Sequence, residues 1–274
     1  MLIVSDKWHF VKDSVWKETA KAGRWDGSMV KEIVIKIEKE KIEDILYLTD
    51  DLALLRALTE KGKKAAAVLT KENRNEDFSG ILYALEQIEE LDQNDYEKIY
   101  KRLAGIPWGI LETKRCRLRE MTEEDLDALY EIYAEESITR YMENLYEDRE
   151  EERKYIADYR KYVYGFYEYG MWIVEEKETG RIIGRAGVDP HGEEMELGYV
   201  IGVPWQRQGY AGEVCQAILL YMWKEIEGCQ EIISRVLPEN TASVKLLQKL
   251  GFEKAGKREE MEVYRIRKAE TASS

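Results

Sequence analysis

The stretch that decides the fold is Glu196-Leu197-Gly198-Tyr199-Val200-Ile201-Gly202-Val203-Pro204-Trp205-Gln206-Arg207-Gln208-Gly209-Tyr210-Ala211. Its first half closes a strand-like run, Glu194–Ile201, after which Gly209 marks a turn. Beyond Ala211, apolar side chains recur at Val214, Ala217, Ile218 and Tyr221, the spacing of one helical face. Strand, glycine-containing turn, helix is an order that aims backbone N–H groups and the positive end of a helix dipole at an anion. Gly209 lets a phosphate approach the backbone closely, and Ala211 keeps the helix start uncluttered. The turn has neither the Gly-Lys-Ser/Thr of a Walker loop nor a Gly-x-Gly-x-x-Gly pattern.

Around this unit the elements follow in a definite order. Upstream, Thr122-Glu123-Glu124-Asp125 reads as a capping box before a helix whose buried stripe is Leu126, Leu129, Ile132 and Tyr133. A second helix is expected over about 149–163. Met171–Glu175 and Arg181–Val188 form a hairpin around Glu178-Thr179-Gly180, and Asp189-Pro190-His191-Gly192 turns into the strand Glu194–Ile201. Downstream, Ile232–Val236 is a strand, and Asn240-x-x-Ser243 opens a helix that stops at Gly251-Phe252.

This order, with Gln/Arg-x-x-Gly-x-Ala between strand and helix, resembles the GNAT superfamily of acetyl-CoA-dependent N-acyltransferases. Arg117-Leu118-Arg119, Gly184-Arg185-Ala186-Gly187 and Glu196-Leu197-Gly198-Tyr199 narrow the likeness to the branch that contains ribosomal-protein N-terminal-alanine acetyltransferases. It covers residues 112–268 and implies an α/β (α+β) fold, a mixed, mostly antiparallel sheet flanked by helices. It implies acetyl-CoA as the acyl donor and a primary amine, small molecule or protein N-terminus, as acceptor.

The resemblance also implies roles. The amides of Gln206, Arg207, Gln208, Gly209, Tyr210 and Ala211 would cradle the coenzyme A pyrophosphate. The backbone of Val200, Ile201 and Gly202 would pair with the pantetheine arm, one amide also polarising the thioester carbonyl. Asn240 would hydrogen-bond that arm. Glu196 is the expected base for the attacking amine, with Glu194 as the alternative and a structurally paired strand carboxylate as the plainer reading. Where many relatives carry a tyrosine acid this chain has Leu247, and Ser243 takes the role of proton donor. The departing thiol needs no strong acid, since a thiol pKa near ~8.5 makes thiolate a tolerable leaving group. The loss of the tyrosine also opens a second reading, a catalytically degenerate acyl-CoA-binding regulatory or interaction module.

Composition bounds the rest. The 274 residues carry 42 basic and 55 acidic side chains, a net charge of −13, so no basic excess exists to neutralise nucleic-acid phosphates. Residues 1–111 hold 18 basic and 21 acidic groups and residues 112–274 hold 24 and 34. The acidic second half would steer cationic amines. Two histidines, His9 and His191, cannot build a histidine-rich metal site, and no metal is expected. Cys116, Cys215 and Cys229 form no paired motif, which fits a reducing cytoplasm. Neither a signal peptide at Met1–Lys7 nor an 18-residue apolar run is present, so no membrane partner is expected.

The glycines and proline of Ala104-Gly105-Ile106-Pro107-Trp108-Gly109 place a seam before Glu112. Residues 1–111 then form a separate α/β module. Its strand Ile45–Leu48, helix with Leu52, Leu55 and Leu58 ending at Gly62, and strand Ala65–Leu69 resemble a piece of a haloacid-dehalogenase-like domain without that family's aspartate pair. A second helix with Tyr96, Ile99, Tyr100 and Leu103 is capped by Asn94 or Asp95. The module is expected to dock, dimerise or cover substrate, which leaves a homodimer open. Residues 269–274 read as a frayed tail. An aromatic stretch from Tyr141 to Trp172 would border the acceptor, and its tyrosines read individually as core-edge packing.

Overall fold

The computed structural model describes residues 2–3, 33–39 and 42–269, so His9 and the tail residues 270–274 lie outside the described residues. The chain divides into two compact units, Met1–Ile106 and Pro107–Ser274. No helix among the described residues is long and apolar enough to cross a membrane.

The first unit is a five-stranded sheet in the order β1 (Leu2–Ile3), β2 (Ile33–Lys39), β3 (Ile42–Thr49), β4 (Lys64–Val68), β5 (Ala84–Leu85). β3, β4 and β5 run parallel, while β2 and β3 form an antiparallel pair. Strand alternation sorts the core into two layers. Leu46, Leu48, Ala66 and Val68 pack with Ile99 and Tyr100 of α2 (Gln93–Ala104), and Ala65 and Ala67 pack with Leu55 of α1 (Leu52–Glu60). Asp51 caps α1 by accepting the Leu54 N–H at 3.0 Å. Helix α2 begins earlier than its apolar stripe suggests. Its cap is Asp92 rather than Asn94 or Asp95, with Asp92 accepting the Asn94 and Asp95 N–H groups and Asp95 accepting the Asp92 N–H in return.

The second unit begins at Pro107, five residues ahead of the seam read at Glu112, because β6 (Gly109–Glu112) already pairs with β7 (Cys116–Arg119). Its eight strands lie in the order β12 (Glu253–Arg258), β13 (Met261–Arg267), β11 (Glu231–Val236), β10 (Glu194–Ile201), β9 (Ile182–His191), β8 (Met171–Glu176), β7, β6. Every neighbouring pair is antiparallel except β10 and β11. One face carries α6 (Tyr210–Glu225), where Tyr221 meets Trp172 edge-on at 5.4 Å. The other carries α3 (Leu126–Tyr133) and α5 (Arg149–Tyr159). A short α4 (Glu136–Thr139) lies between them in sequence, and α7 (Thr241–Lys249) follows β11.

The short motifs each acquire a physical reason. Arg119 forks onto Asp125 at 2.7 and 2.8 Å and reaches Glu175 at 2.6 Å, so one guanidinium ties β7, the capping turn and β8 together. Asp125 in turn accepts the Thr122 N–H at 2.7 Å. Gly184 and Gly187 are obligatory, because a Cβ would fall 2.1 Å from the Val200 carbonyl oxygen and 2.0 Å from that of Gly170 respectively. The helix expected over 149–163 leaves α-geometry at Tyr159 and runs through a π-turn, Arg160–Tyr164. That extra residue lets Tyr159 and Tyr164 both reach β8: Tyr159 accepts the Met171 N–H at 2.8 Å and Tyr164 donates to the Met171 carbonyl. In the aromatic stretch these two and Tyr169 are buried, whereas Tyr162 and Phe166 are exposed.

Candidate active site

The site is built where the one parallel pairing fails. β10 and β11 are in register at a single position, Glu196 opposite Ile233, and β10 then runs on to Ile201 without a ladder partner on that side. The antiparallel ladder to β9 fixes which groups face the gap. Gly202 donates its N–H to the Ile183 carbonyl at 2.8 Å, so residues of its parity turn toward β9 and Leu197, Tyr199 and Ile201 turn toward β11. Ser234 takes the Leu197 carbonyl at 2.9 Å and the Gln206 side chain takes that of Ile201 at 2.9 Å. The Tyr199 and Ile201 amides are left facing the gap. Of the backbone groups expected to pair with a ligand, Ile201 is therefore placed for it. Val200 and Gly202 have their amides turned into the sheet, and Tyr199 takes their place.

The gap opens into a groove of about 820 Å³ walled by β10, α6, α7 and the segment after α4. Val200, Ile201, Gln206, Arg207, Gly209, Tyr210, Ala211, Asn240 and Ser243 all line it; Gly202, Gln208 and Glu196 do not. The turn into α6 is held open by its own side chains. The Gln208 amide donates to the Pro204 carbonyl at 2.7 Å, and the Gln206 N–H is engaged by Val203 at 3.2 Å. Arg207 and Gly209 both have positive φ, 61° and 85°, a backbone path that brings successive N–H groups into one concavity at the helix start. The first-turn N–H groups of α6 have no intrahelical acceptor. Nothing in this cradle except glycine stands at 209, where an added Cβ would be under left-handed backbone strain.

Two residues that no local signal marks lock this turn. Glu213 accepts from the Thr113 hydroxyl at 2.7 Å, the Arg115 N–H at 2.8 Å and Arg115 Nε at 2.8 Å. Burial pushes its carboxyl up, and these donors outweigh burial and hold it below the usual range. Arg115 also donates to the Gln208 carbonyl at 3.0 Å and stacks 4.0 Å over the Tyr210 ring, whose hydroxyl bonds Glu176.

On the other side of the gap, Asn240 caps α7, its Oδ1 accepting the Ser243 N–H at 3.2 Å, which leaves its Nδ2 donors for a ligand. Ser243 lines the groove, and the Tyr199 hydroxyl approaches the Ser243 carbonyl at 3.5 Å. Burial raises the Tyr199 pKa, so its hydroxyl keeps its proton. Leu247 is fully buried in the core.

Glu196, the expected base, lies off the groove wall. Its Oε1 accepts the Arg235 N–H at 3.1 Å and its Oε2 sits 2.7 Å from the Arg235 guanidinium. Both oxygens are engaged at the single register point before the strands part. This contact ties β10 to β11.

Comparison with known proteins agrees with this geometry. Residues 115–253 match the family model described as an acetyltransferase (GNAT) domain. The chain is 32% identical over 152 residues to the uncharacterized N-acetyltransferase YoaA of Bacillus subtilis, covering 54% of this chain and 84% of that protein. It is 31% identical over 168 residues to the ribosomal protein uS5-alanine N-acetyltransferase of Escherichia coli, covering 56% and 82%. Among solved structures, an acetyltransferase from Agrobacterium tumefaciens superposes with a TM-score of 0.51 at 23% identity, over 58% of this chain and 94% of that one. The ribosomal-protein-S5-alanine acetyltransferase of Vibrio fischeri gives 0.51 at 15%, over 58% and 96%. The chain belongs to the GNAT acetyltransferase family.

Proposed function

We propose that the protein transfers an acetyl group from acetyl-CoA to a primary amine by direct attack of the amine on the thioester. The observation that carries this is the parting of β10 from β11, which leaves the Tyr199 and Ile201 amides unpaired at the mouth of a groove ending in the Arg207–Ala211 turn. The residues present fit coenzyme A. The turn offers backbone donors and a helix N-terminus to a pyrophosphate, the strand offers an edge to an extended amide-bearing arm, and Asn240 keeps two donors free. Bound there, acetyl-CoA would supply the activated acyl group.

The chain's own contribution is positioning and electrostatics. One of the two strand amides would donate to the acyl oxygen and gain strength as charge develops there, an effect worth roughly 3–4 kcal/mol for a single well-aimed donor. Ser243 is the proposed proton donor at the first turn of α7. With Glu196 engaged by Arg235, the acceptor amine loses its proton to water, and Glu196 acts by holding the register from which the gap opens. The proposed acceptor class is supported by a relative named as a ribosomal protein-alanine N-acetyltransferase. The acidic second half of the chain would favour approach of cationic amines in a cytoplasmic setting. Residues 1–106 are proposed as a separate module attached to the acyltransferase.

Calorimetric titration with acetyl-CoA, followed by a thiol-release screen over amino acids, polyamines, amino sugars and peptide N-termini, tests the proposal. Binding with turnover of at least one class is the expected result. Failure to bind acetyl-CoA refutes it, and binding without turnover on any class reduces the protein to a coenzyme A-binding module.

A further inference from the structure

One cation in the second unit lacks the counter-ion its neighbours have. Arg115 pairs with Glu213, Arg119 with Asp125 and Glu175, and Arg235 with Glu196. Arg185 makes no ion pair among the described residues, and its Nε is buried without a hydrogen-bond partner. It sits on β9 directly opposite Val200 of β10, so both side chains leave the sheet on the face covered by α3 and α5. The guanidinium lies 5.2 Å from the centre of the Tyr133 ring. Tyr133, Tyr155 and Tyr159 stand around it. Of the nearby acids, Asp189 takes the Tyr159 hydroxyl, and Glu152 takes the Tyr146 N–H at 3.0 Å through Oε2 while its Oε1 is buried without a partner; neither lies within ion-pair distance of Arg185. The Tyr133 hydroxyl is likewise buried and without a partner.

We propose that Arg185 and Tyr133 receive the carboxylate of the acceptor, so that the acceptor amine belongs to a free amino acid. The inference rests on the acyltransferase reading above. Burying a guanidinium nitrogen without a partner is unfavourable, and an aromatic face offsets only part of that. A planar carboxylate completes the site, because it accepts from the guanidinium fork and from a phenol together. Position then selects the amine. Val200 lies directly across from Arg185, and the strand amides that face the groove belong to the residues on either side of it, Tyr199 and Ile201. An amino group one carbon from a carboxylate held at Arg185 is thereby brought beside them. Other acceptors of the family's chemistry, polyamines and amino sugars, offer no anion for this position.

The test titrates N-acetylglycine, N-acetylalanine and N-acetylaspartate, each beside its carboxamide, into the protein saturated with coenzyme A. Wild type, Arg185→Met and Arg185→Lys are compared. The acids are expected to bind wild type at least tenfold more tightly than the amides. Arg185→Met is expected to erase that preference and Arg185→Lys to restore part of it, with coenzyme A affinity the same in all three. A second readout guards against misfolding. The melting temperature of wild type should rise with added acid, and that of Arg185→Met, still a cooperative unfolding transition, should not. Equal binding of acids and amides to wild type, no binding of either while coenzyme A binds, or an acid preference that survives Arg185→Met would each overturn the proposal. Failure of coenzyme A itself to bind, seen before any acid is added, overturns the acyltransferase reading and this inference with it.

Discussion

Glu213 offers the sharpest quantitative test of how the groove is held. The substitution Glu213→Ala removes one carboxylate and strands three donors: the Thr113 hydroxyl, the Arg115 N–H and Arg115 Nε. Hydrogen bonds to a charged partner contribute roughly 1.5–3 kcal/mol each, but these share one acceptor and are not additive. Glu213 is 22% exposed and Arg115 35%, so water recovers part of the loss. About 2–4 kcal/mol is the resulting expectation. For a unit of this size each kcal/mol moves the melting temperature by roughly 2–4 °C, giving a fall of about 5–15 °C. Because Arg115 also holds the Gln208 carbonyl, acetyl-CoA affinity should fall alongside stability. The pH dependence supplies an internal control. The Glu213 carboxyl is held below its ordinary value of 4.5 in the fold, so its contribution is present above that value and is lost as pH falls through the folded one. Urea melts of wild type between pH 3 and 6 should show that loss, and Glu213→Ala should lack it. A change below ~0.5 kcal/mol, the range of ordinary surface substitutions, would refute the reasoning.

Gly184→Ala should destabilise the unit by about 3 kcal/mol or more, since its Cβ would meet a carbonyl oxygen of the strand that forms the groove wall; a melting temperature within 2–3 °C of wild type counts against the packing described. Asn240→Asp keeps the cap on α7 and removes the Nδ2 donors. Stability should hold within ~0.5 kcal/mol while acetyl-CoA affinity drops, whereas Asn240→Ala should lose both, with the cap worth about 1 kcal/mol. Glu196→Gln retains an acceptor for the Arg235 N–H. Activity should therefore stay within about tenfold, with the pH–rate profile unshifted. A loss of roughly 10²–10⁴-fold with the acid limb of the profile removed would reinstate the base.

The parts of this site that the sequence discloses are those fixed by local rules. The strand Glu194–Ile201 is found at the bounds its pattern predicts, and the turn to Tyr210 follows from Gly209. Asn240 caps as an asparagine before a helix should. What the sequence hides is set by distant partners. The parity that points Ile201 into the gap and Gly202 away from it depends on where β9 pairs, at Ile183, and no feature of residues 196–202 contains it. Glu213 and Arg115 lie 98 positions apart, and Glu196 finds Arg235 across a parallel pairing of one residue. The Asp92 cap was within reach, because Asp92-x-x-Asp95 is itself a capping box; the apolar stripe beginning at Tyr96 drew the helix start too late.

The carboxylates of the second unit share a pattern that bears on how such a site can act. Glu175, Asp125, Glu196 and Glu213, all at least half-buried around the sheet, are bound by arginines. A carboxylate so held fixes distances between strands and helices. Beside the charged side chains of Arg207, Glu213 and Lys249, the groove offers the Asn240 amide and the hydroxyls of Ser243 and Tyr199, which donate hydrogen bonds and carry no charge. Such groups favour an oxygen on which negative charge grows, and they do little for an ammonium that has yet to lose its proton. On the proposed function, ion pairs would build the frame and uncharged donors would meet the developing charge.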